Sequence, residues 1–476
     1  MQLVATAGHK GHGKSSLVCA VTGAKRTDRP GAAWVALPSG RRLAFADAPG
    51  GERAAAALAG FGVASAVIMV VAADEGWMPG SAEHLGALDA FDVRAGLLVV
   101  TRADLADATL VLRQARAELG GTNLAGVEGV AVSTRTGAGL TGLTDALDRL
   151  ARRLPPAGPA GPVRMWADGA APAGGGVAAD GRATDGPAAD GGVAATVISG
   201  ILTAGTIRVG DELDHGGRMV RVVAARTPDG GDVAVVPAAS RVTLTVTGAA
   251  AQPGPGTPLV APDRWTSTAS VDVRHGFGAA SGRLARQLTL HIGSAAVPVR
   301  LRPLGPDTAR LTLGARLPLH VGDRGVLRDP RRRAVAGVSV LDVRPPPLTA
   351  RGAAAERARE LADWPDRPGG DLLLRRHGVL RDAELEVMGC TAPAEALHVG
   401  PGWVADPGHW ESLRRRLVRE LARHAADHPQ TPGISLEAAR LRLGLPERGL
   451  VVRLVRPPLR LHGGRVYGAQ RPGAKA

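Results

Sequence analysis

The sequence predicts a multidomain protein with an α/β P-loop domain, two β-barrel domains and a C-terminal α/β winged-helix region. Apolar runs alternate with helix-like segments over residues 1–153, as in a doubly wound sheet. Short alternating strands with close turns follow over residues 194–345, and amphipathic helices dominate from residue 350. A chain of 476 residues is long enough to bury a core in each of these parts.

The first domain, residues 1–153, contains apolar runs that end in polar or glycine-containing turns: LVATA, RLAFADAPG, SAVIMVVAADEG, AGLLVVTRAD and GVAVSTRTG. Fully buried parallel strands have this composition. Helix-like segments, such as 83–91 and 108–119, lie between the runs. Ligands of doubly wound domains bind at the carboxyl ends of the strands, so we expect the functional residues in these turns.

The remaining boundaries follow from changes in composition. The linker RLPPAGPAGP leads into a barrel domain II over 162–262, and a second barrel, domain III, covers 265–345. Domain II carries a low-complexity insertion at 167–193, which has almost no large side chains and is expected to form a disordered loop. Residues 350–476 combine helices with a basic hairpin-like segment, a pattern typical of winged-helix modules.

Charge and cysteine content limit the classes of function. The net charge is +14, and it rises from +2 over 1–153 to +5 over 154–343 and +7 over 344–476. RNA would suit such a chain, although a solvated basic surface explains the excess equally well. Cys19 and Cys390 are too few and too distant for a disulfide framework or a metal motif. No apolar stretch is long enough to span a membrane, so we expect a cytoplasmic protein.

A phosphate-binding loop between the first strand and the first helix is the strongest motif. Residues 8–15, GHKGHGKS, match the spacing G-x-x-x-x-G-K-[ST]. Loop amides would surround the phosphates, the lysine would reach the β and γ phosphates, and Ser15 would bind Mg²⁺. The nucleotide-binding residues predicted here are Gly8, His9, Lys10, Gly11, His12, Gly13, Lys14, Ser15 and Ser16.

Three later strand ends add supporting motifs. Asp47 and Gly50 in DAPG are placed to approach Mg²⁺ and the γ-phosphate, so Asp47 is the second candidate metal ligand. A carboxylate at Asp104 can accept the ring N–H donors of guanine, which selects GTP and GDP over adenine nucleotides. Each motif alone could be an ordinary strand-to-helix turn, but the four occur in order at successive strand ends. The further nucleotide-binding candidates are Thr101, Arg102, Asp104, Ser133, Thr134 and Arg135.

These motifs make the first domain similar to the GTPase domain of the translational GTPases. More narrowly, the chain resembles the bacterial selenocysteine-specific elongation factors of the actinobacterial type. VATAGHKGHGKSSLV, PSGRRLAFADAPG, VVAADEGWMPGSAEHL and LLVVTRADLAD carry the resemblance in the first domain. LTAGTIRVGDEL resembles the second domain, VGDRGVLRDP the third, and HWESLRRRL the winged-helix region. The resemblance covers nearly the whole chain and is interrupted at 167–193.

The resemblance implies a monomeric factor that uses GTP and Mg²⁺ to deliver selenocysteyl-tRNA to a ribosome stalled at a UGA codon. It also implies an aminoacyl pocket in domain II, for which Asp168 and Arg241 are the candidate residues here. In the family, further winged helices read an mRNA hairpin. We expect this chain to lack them, because its sequence stops after GGRVYGAQRPGAKA.

Several departures from the family pattern occur in the segments that change conformation with the bound nucleotide. Lys10 and Gly11 replace the valine and aspartate of the family loop, and no threonine occurs between Asp28 and Trp34. Gly51 stands where the family has the histidine that positions the attacking water. We therefore expect no catalytic histidine and impaired hydrolysis. The alternative interpretation is a diverged, non-hydrolysing relative that binds guanine nucleotide and tRNA without completing the elongation cycle.

Overall fold

The computed structural model describes residues 2–24, 33–46, 58, 60–154, 161–172, 195–228, 231–248, 253–277, 286–329 and 334–468. The chain consists of two compact units, Met1–Asp363 and Trp364–Ala476. Within the described part of the chain, none of the helices is both long and apolar enough to cross a membrane.

The amino-terminal part of the first unit contains a six-stranded sheet in the order β2-β3-β1-β4-β5-β6. Its strands are parallel except for β2, which pairs with β3 in the antiparallel direction. The strands are β1 (Gln2–Ala7), β2 (Trp34–Ala36), β3 (Arg42–Ala46), β4 (Ala66–Ala72), β5 (Gly96–Thr101) and β6 (Glu128–Ala131). All residues of β1, β4 and β5 are buried, as expected of central strands covered on both faces.

Helices cover both faces of this sheet. They are α1 (Lys14–Thr22), α2 (Pro79–Ala90), α3 (Ala108–Leu119) and α4 (Leu140–Arg153). Leu85 of α2 and Val111 of α3 belong to one apolar cluster, whereas Leu17 of α1 and Leu147 of α4 belong to another. The predicted α/β domain is therefore confirmed, with layers of helix, sheet and helix.

The predicted first barrel is a closed six-stranded barrel in the order β10-β11-β13-β8-β7-β14. It consists of β7 (Arg164–Pro172), β8 (Ala195–Ala204), β10 (Glu212–His215), β11 (Arg218–Arg226), β13 (Ser240–Gly248) and β14 (Pro258–Val260), and a separate ribbon pairs β9 (Thr206–Arg208) with β12 (Val235–Pro237). The prediction of a loop from residue 167 is wrong for 167–172, because β7 pairs with β8 as far as Pro172. Backbone pairing with β8 compensates for the scarcity of large side chains here. Residues 173–193 of the predicted insertion lie outside the described part.

The second barrel is also closed, in the order β15-β18-β17-β16-β19-β20. Its strands are β15 (Thr266–His275), β16 (Gln287–Ile292), β17 (Ala295–Pro303), β18 (Thr308–Leu319), β19 (Arg324–Asp329) and β20 (Ala334–Asp342). Alternate residues of β17, such as Val297, Val299 and Leu301, are buried, while those between them are exposed. This two-residue period is the pattern from which the barrel was predicted.

Helix α5 (Ala353–Ala362) follows the second barrel and lies in the first unit. Its Arg357 is 1% exposed and forms ion pairs with Asp272 and Asp342, both 0% exposed, at 2.7 and 2.6 Å. Arg310 of β18 pairs with Asp272 as well. Each buried charge thus has a partner of opposite sign, which offsets the cost of removing it from water.

The second unit contains two three-stranded sheets in the orders β21-β23-β22 and β24-β26-β25. Its elements are α6 (Gly370–His377), β21 (Val379–Arg381), α7 (Asp382–Val387), β22 (Leu397–Gly400), β23 (Trp403–Ala405), α8 (Pro407–Asp427), β24 (Ile434–Ser435), α9 (Leu436–Leu443), α10 (Arg448–Leu454), β25 (Arg460–His462) and β26 (Arg465–Tyr467). The order is helix, short strand, helix, hairpin around the first sheet and helix, short strand, two helices, hairpin around the second, and both are compatible with the winged-helix prediction.

Helix α8 shows how the sequence specifies these elements. The Asp406 side chain caps it by accepting a hydrogen bond from the His409 amide at 2.7 Å, and Pro407 occupies its first turn. The buried residues Trp410, Leu413, Leu417 and Leu421 recur every three or four positions and form one apolar face.

Candidate functional site

The predicted phosphate-binding loop connects β1 to α1, and glycines determine its path. Gly8, Gly11 and Gly13 have φ angles of +125°, +94° and +84°, a region that other residues rarely adopt. A Cβ atom on Gly8 would lie 2.1 Å from the carbonyl oxygen of Val70. The loop therefore passes β4 at a distance that only glycine permits.

Lys14 is the first residue of α1, and its ammonium group folds back over the loop. Its Nζ donates hydrogen bonds to the carbonyl oxygens of Gly8 at 2.9 Å and His9 at 2.8 Å. The side chain is buried although it carries a charge. Ser15 and Ser16 follow in the first turn of the same helix, where anions are favoured by the amide groups and the helix dipole.

The end of β5 holds the same loop from a second direction. Thr101 Oγ1 donates to the carbonyl oxygen of His12 at 2.7 Å, and Arg102 NH2 donates to that of Gly11 at 2.6 Å. Arg102 has a positive φ of 57° and also pairs with Asp74 at 2.8 Å and Glu75 at 2.7 Å. Thr101 and Arg102, predicted from sequence as nucleotide-binding residues, thus contact the loop itself.

Asp104 lies two residues further and faces the loop after β6. Arg135 Nε donates to its Oδ2 at 3.0 Å. The pKa of the Asp104 carboxyl is lowered, first by a hydrogen bond from Ser133 and then by Arg135. Thr134 lies between these two residues and is half-buried. The predicted base-recognition residues therefore come together, and the carboxylate is held in its ionised, hydrogen-bond-accepting form.

Two side chains of α2 that were not predicted from sequence also contact the loop. The amide of Gly8 donates to His84 Nδ1 at 3.0 Å, and the amide of His9 donates to Ser81 Oγ at 3.2 Å. Burial lowers the pKa of His84 to about 4, so its Nδ1 keeps the lone pair that accepts this bond. The available signal was the three-residue spacing of Ser81 and His84, which puts both on one helix face.

His12 of the loop is also buried, and both of its ring nitrogens face polar groups of other segments. Its Nδ1 lies 3.4 Å from the Val70 carbonyl oxygen, and its Nε2 lies 3.5 Å from Glu75 Oε2. Burial is the largest cause that lowers the pKa of this imidazole. The lowered pKa favours the neutral form of the His12 imidazole. Lys10, by contrast, is exposed.

Some predicted site residues lie outside the described part of the chain. These are Asp47 and Gly50, together with Gly51 and the segment 25–32 that bears on the switch threonine. Among the described residues there is no cluster of three or more histidine, cysteine, aspartate or glutamate side chains that could hold a metal ion.

Asp168 and Arg241, the candidates for the aminoacyl pocket, meet in the first barrel. Arg241 NH2 lies 2.9 Å from Asp168 Oδ2, and the side chains are 20% and 29% exposed, respectively. Asp168 projects from an irregularity in the pairing of β7 with β8, between Ala167 and Gly169. Burial raises the pKa of the Asp168 carboxyl, and the charge of Arg241 opposes that rise.

Comparisons with known proteins agree with this architecture. No protein-family model matches the chain. The selenocysteine-specific elongation factor of Desulfomicrobium baculatum is 38% identical over 153 residues, which cover 29% of this chain and 24% of that protein. The factor of the same name from Escherichia coli is 35% identical over 117 residues, 22% of this chain and 19% of that protein. The matched part thus spans about a quarter or less of the length of these relatives.

Translation factors of another kind also match part of the chain. Initiation factor IF-2 of Gluconacetobacter diazotrophicus is 40% identical over 92 residues, 17% of this chain and 10% of that protein. This second match is shorter than the one to the Desulfomicrobium factor.

Solved structures extend the similarity of fold to nearly the whole chain. A bacterial selenocysteine-specific elongation factor, EF-Sec, superposes with a TM-score of 0.81 at 21% identity, covering 99% of this chain and 80% of that one. SelB of Methanococcus maripaludis, solved with the GTP analogue GppNHp, superposes with a TM-score of 0.60 at 20% identity over 72% of this chain and 79% of that one. The chain is therefore similar to the selenocysteine-specific elongation factors in sequence over less than a third of its length and in fold over nearly all of it.

Proposed function

We propose that this chain is a GTP-binding elongation factor that delivers selenocysteyl-tRNA to ribosomes at UGA codons. The proposal rests chiefly on one observation: loops at residues 8–15, 101–104 and 133–135 meet at one edge of the sheet and share direct hydrogen bonds. This is the carboxyl edge, where doubly wound domains bind their ligands. A cytoplasmic, monomeric factor is part of the proposal.

Residues of the phosphate-binding loop suit a nucleotide with Mg²⁺. Lys14 would supply a positive charge to the β and γ phosphates, and the amides at the start of α1 would donate to their oxygens. Ser15 offers the hard oxygen ligand that Mg²⁺ prefers, with Asp47 as the second candidate. Magnesium would neutralise phosphate charge. Asp104 would accept the two guanine N–H donors and exclude adenine, which lacks them.

Arg241 would recognise the amino acid carried by the tRNA. The selenol group of selenocysteine is more acidic than an alcohol and is anionic at neutral pH, so a nearby guanidinium favours it over the hydroxyl of serine. Asp168 holds Arg241 in place through their ion pair. The basic second unit would contribute phosphate contacts to RNA that carry no sequence information.

Binding of aminoacylated tRNA tests this assignment. In the presence of GppNHp, we expect selenocysteyl-tRNA to bind at least about tenfold more tightly than seryl-tRNA, as a charge-assisted contact implies. Arg241→Ala should remove the preference. Arg221→Ala is the matched control, because Arg221 forms an exposed ion pair with Glu212 in the same barrel. Equal affinity of the wild-type protein for both tRNAs would contradict the proposed substrate.

A non-hydrolysing relative is the second candidate, favoured by Gly51 at the position of the family histidine. We expect GTP turnover on ribosomes to remain close to turnover without them, while nucleotide binding is intact, because loss of a water-positioning group costs orders of magnitude in rate. Gly51→His should raise turnover little, since the segment 28–34 also lacks threonine. Robust ribosome-stimulated turnover of the wild-type protein would rule this candidate out.

A further inference from the structure

The amino-terminal half of helix α2 contacts the phosphate-binding loop. Ser81 and His84 accept hydrogen bonds from the first two amides of the loop, those of His9 and Gly8, at 3.2 and 3.0 Å. Buried Leu85 lies in the adjoining apolar cluster. Because these bonds fix where the loop leaves β1, they also fix the direction of the amides that follow.

The other end of α2 is packed against the second barrel. Gly337 of β20 approaches the last residue of the helix so closely that an added Cβ would lie 3.0 Å from the Ala90 carbonyl oxygen and 3.1 Å from its Cα. Just beyond the helix, Asp92 lies 3.6 Å from Arg324 of β19. Val326 of β19 belongs to the same apolar cluster as Leu88 of α2. The helix therefore shares one core with the first domain and the barrel.

Such a helix can transmit displacement between its ends. It has 12 residues, so its ends are about 18 Å apart. Tightly packed protein interiors move as rigid units rather than deforming continuously. Because both ends of α2 are packed against other elements, a displacement at one end also displaces the other.

We propose that α2 couples the second barrel to the nucleotide site, with Ser81 and His84 as the positioning residues through which contacts at β19 and β20 set the rate of nucleotide release. This inference rests on the proposed nucleotide binding. The connection runs from the loop through Ser81, His84 and α2 to Gly337. A change in the packing of the barrel therefore alters the lifetime of the bound nucleotide.

Nucleotide release tests the positioning residues at the loop. With N-methylanthraniloyl-GDP on the full chain, His84→Ala should release nucleotide about tenfold faster, as expected for a lost hydrogen bond to a buried amide. His84→Asn should retain most of the wild-type lifetime, because its Oδ1 can accept the bond of the imidazole Nδ1. Glu83→Ala is the control, since Glu83 lies on the same helix with an exposed side chain. A purely packing role for His84 would make asparagine as harmful as alanine.

Substitutions in the barrel test the coupling itself. Gly337→Ala should push on Ala90 and change the release rate several-fold, although residue 337 lies in the second barrel rather than in the nucleotide-binding domain. Arg324→Ala removes only a partly exposed ion pair, so it should fold normally and change release in the same direction to a smaller extent. In a His84→Ala background, the effect of Gly337→Ala should shrink, because the connection is already cut.

The possible outcomes separate this inference from the proposed function. If the wild-type protein binds no fluorescent GDP, the nucleotide site is refuted and the coupling with it. If the wild-type protein binds but the His84, Gly337 and Arg324 variants, with unchanged unfolding midpoints, release GDP at the wild-type rate, the coupling alone is refuted. Additive effects of His84→Ala and Gly337→Ala would also contradict it, because the two sites would then act independently.

Discussion

Replacing Lys14 with alanine should weaken GTP and GDP binding by about 100-fold or more, the range expected when one partner of a buried charged contact is removed. The Lys14 ammonium group already lies inside the loop, on the carbonyl oxygens of Gly8 and His9, so the substitution removes a buried positive charge from the loop. Equilibrium titration with fluorescent GDP gives the affinity directly.

Lys10→Ala is the matched control for this prediction. Lys10 belongs to the same loop and carries the same charge, but its side chain is exposed. Its removal should change the affinity by no more than about threefold, because solvent screens exposed charges. If both substitutions weakened binding equally, general positive charge rather than the lysine at the start of α1 would hold the nucleotide.

Replacing Arg357 with alanine should lower the free energy of unfolding of the first unit by about 3–5 kcal/mol. The substitution leaves Asp342 without the guanidinium at 2.6 Å and removes one of the two arginines that neutralise Asp272. Both carboxylates remain fully buried, so water cannot replace the lost partner. Chemical denaturation, followed by a probe of secondary structure, measures the change.

Arg221→Ala serves as the comparison for Arg357. Its ion pair with Glu212 has a similar distance, 2.7 Å, but the two side chains are 60% and 52% exposed. Its loss should cost less than about 1 kcal/mol. An Arg357→Ala variant within 1 kcal/mol of wild type would show that α5 is not held to the barrel by these charges.

The meeting of the loops at residues 8–15, 101–104 and 133–135 was largely predictable from sequence, because these residues occur in short local motifs. A phosphate-binding loop requires glycines where its backbone passes close to other groups, and it requires a lysine to match the phosphate charge. The residues after β5 are marked by the buried strand that precedes them. Both kinds of signal can be read within about ten residues. The barrels were predictable for a related reason, since alternating burial leaves a two-residue period in strands such as β17.

The contacts that sequence reasoning missed join residues far apart in the chain. His84 is 76 residues from Gly8, and Arg357 is 85 residues from Asp272. A histidine or arginine in a helix carries no local mark of such a partner, because the pairing depends on tertiary packing. The prediction of a loop from residue 167 was wrong for a similar reason. Small residues of β7 form a strand there because β8 is present to pair with them.

We propose above all that this protein binds guanine nucleotides at the edge formed by the loops of β1, β5 and β6. Isothermal titration calorimetry of the full chain with GDP and with ADP measures this binding. We predict that GDP binds at least about 100-fold more tightly than ADP, because a carboxylate placed to accept guanine N–H groups is left unpaired by adenine. Equal affinities for GDP and ADP, or no heat of binding with GDP, would contradict the account.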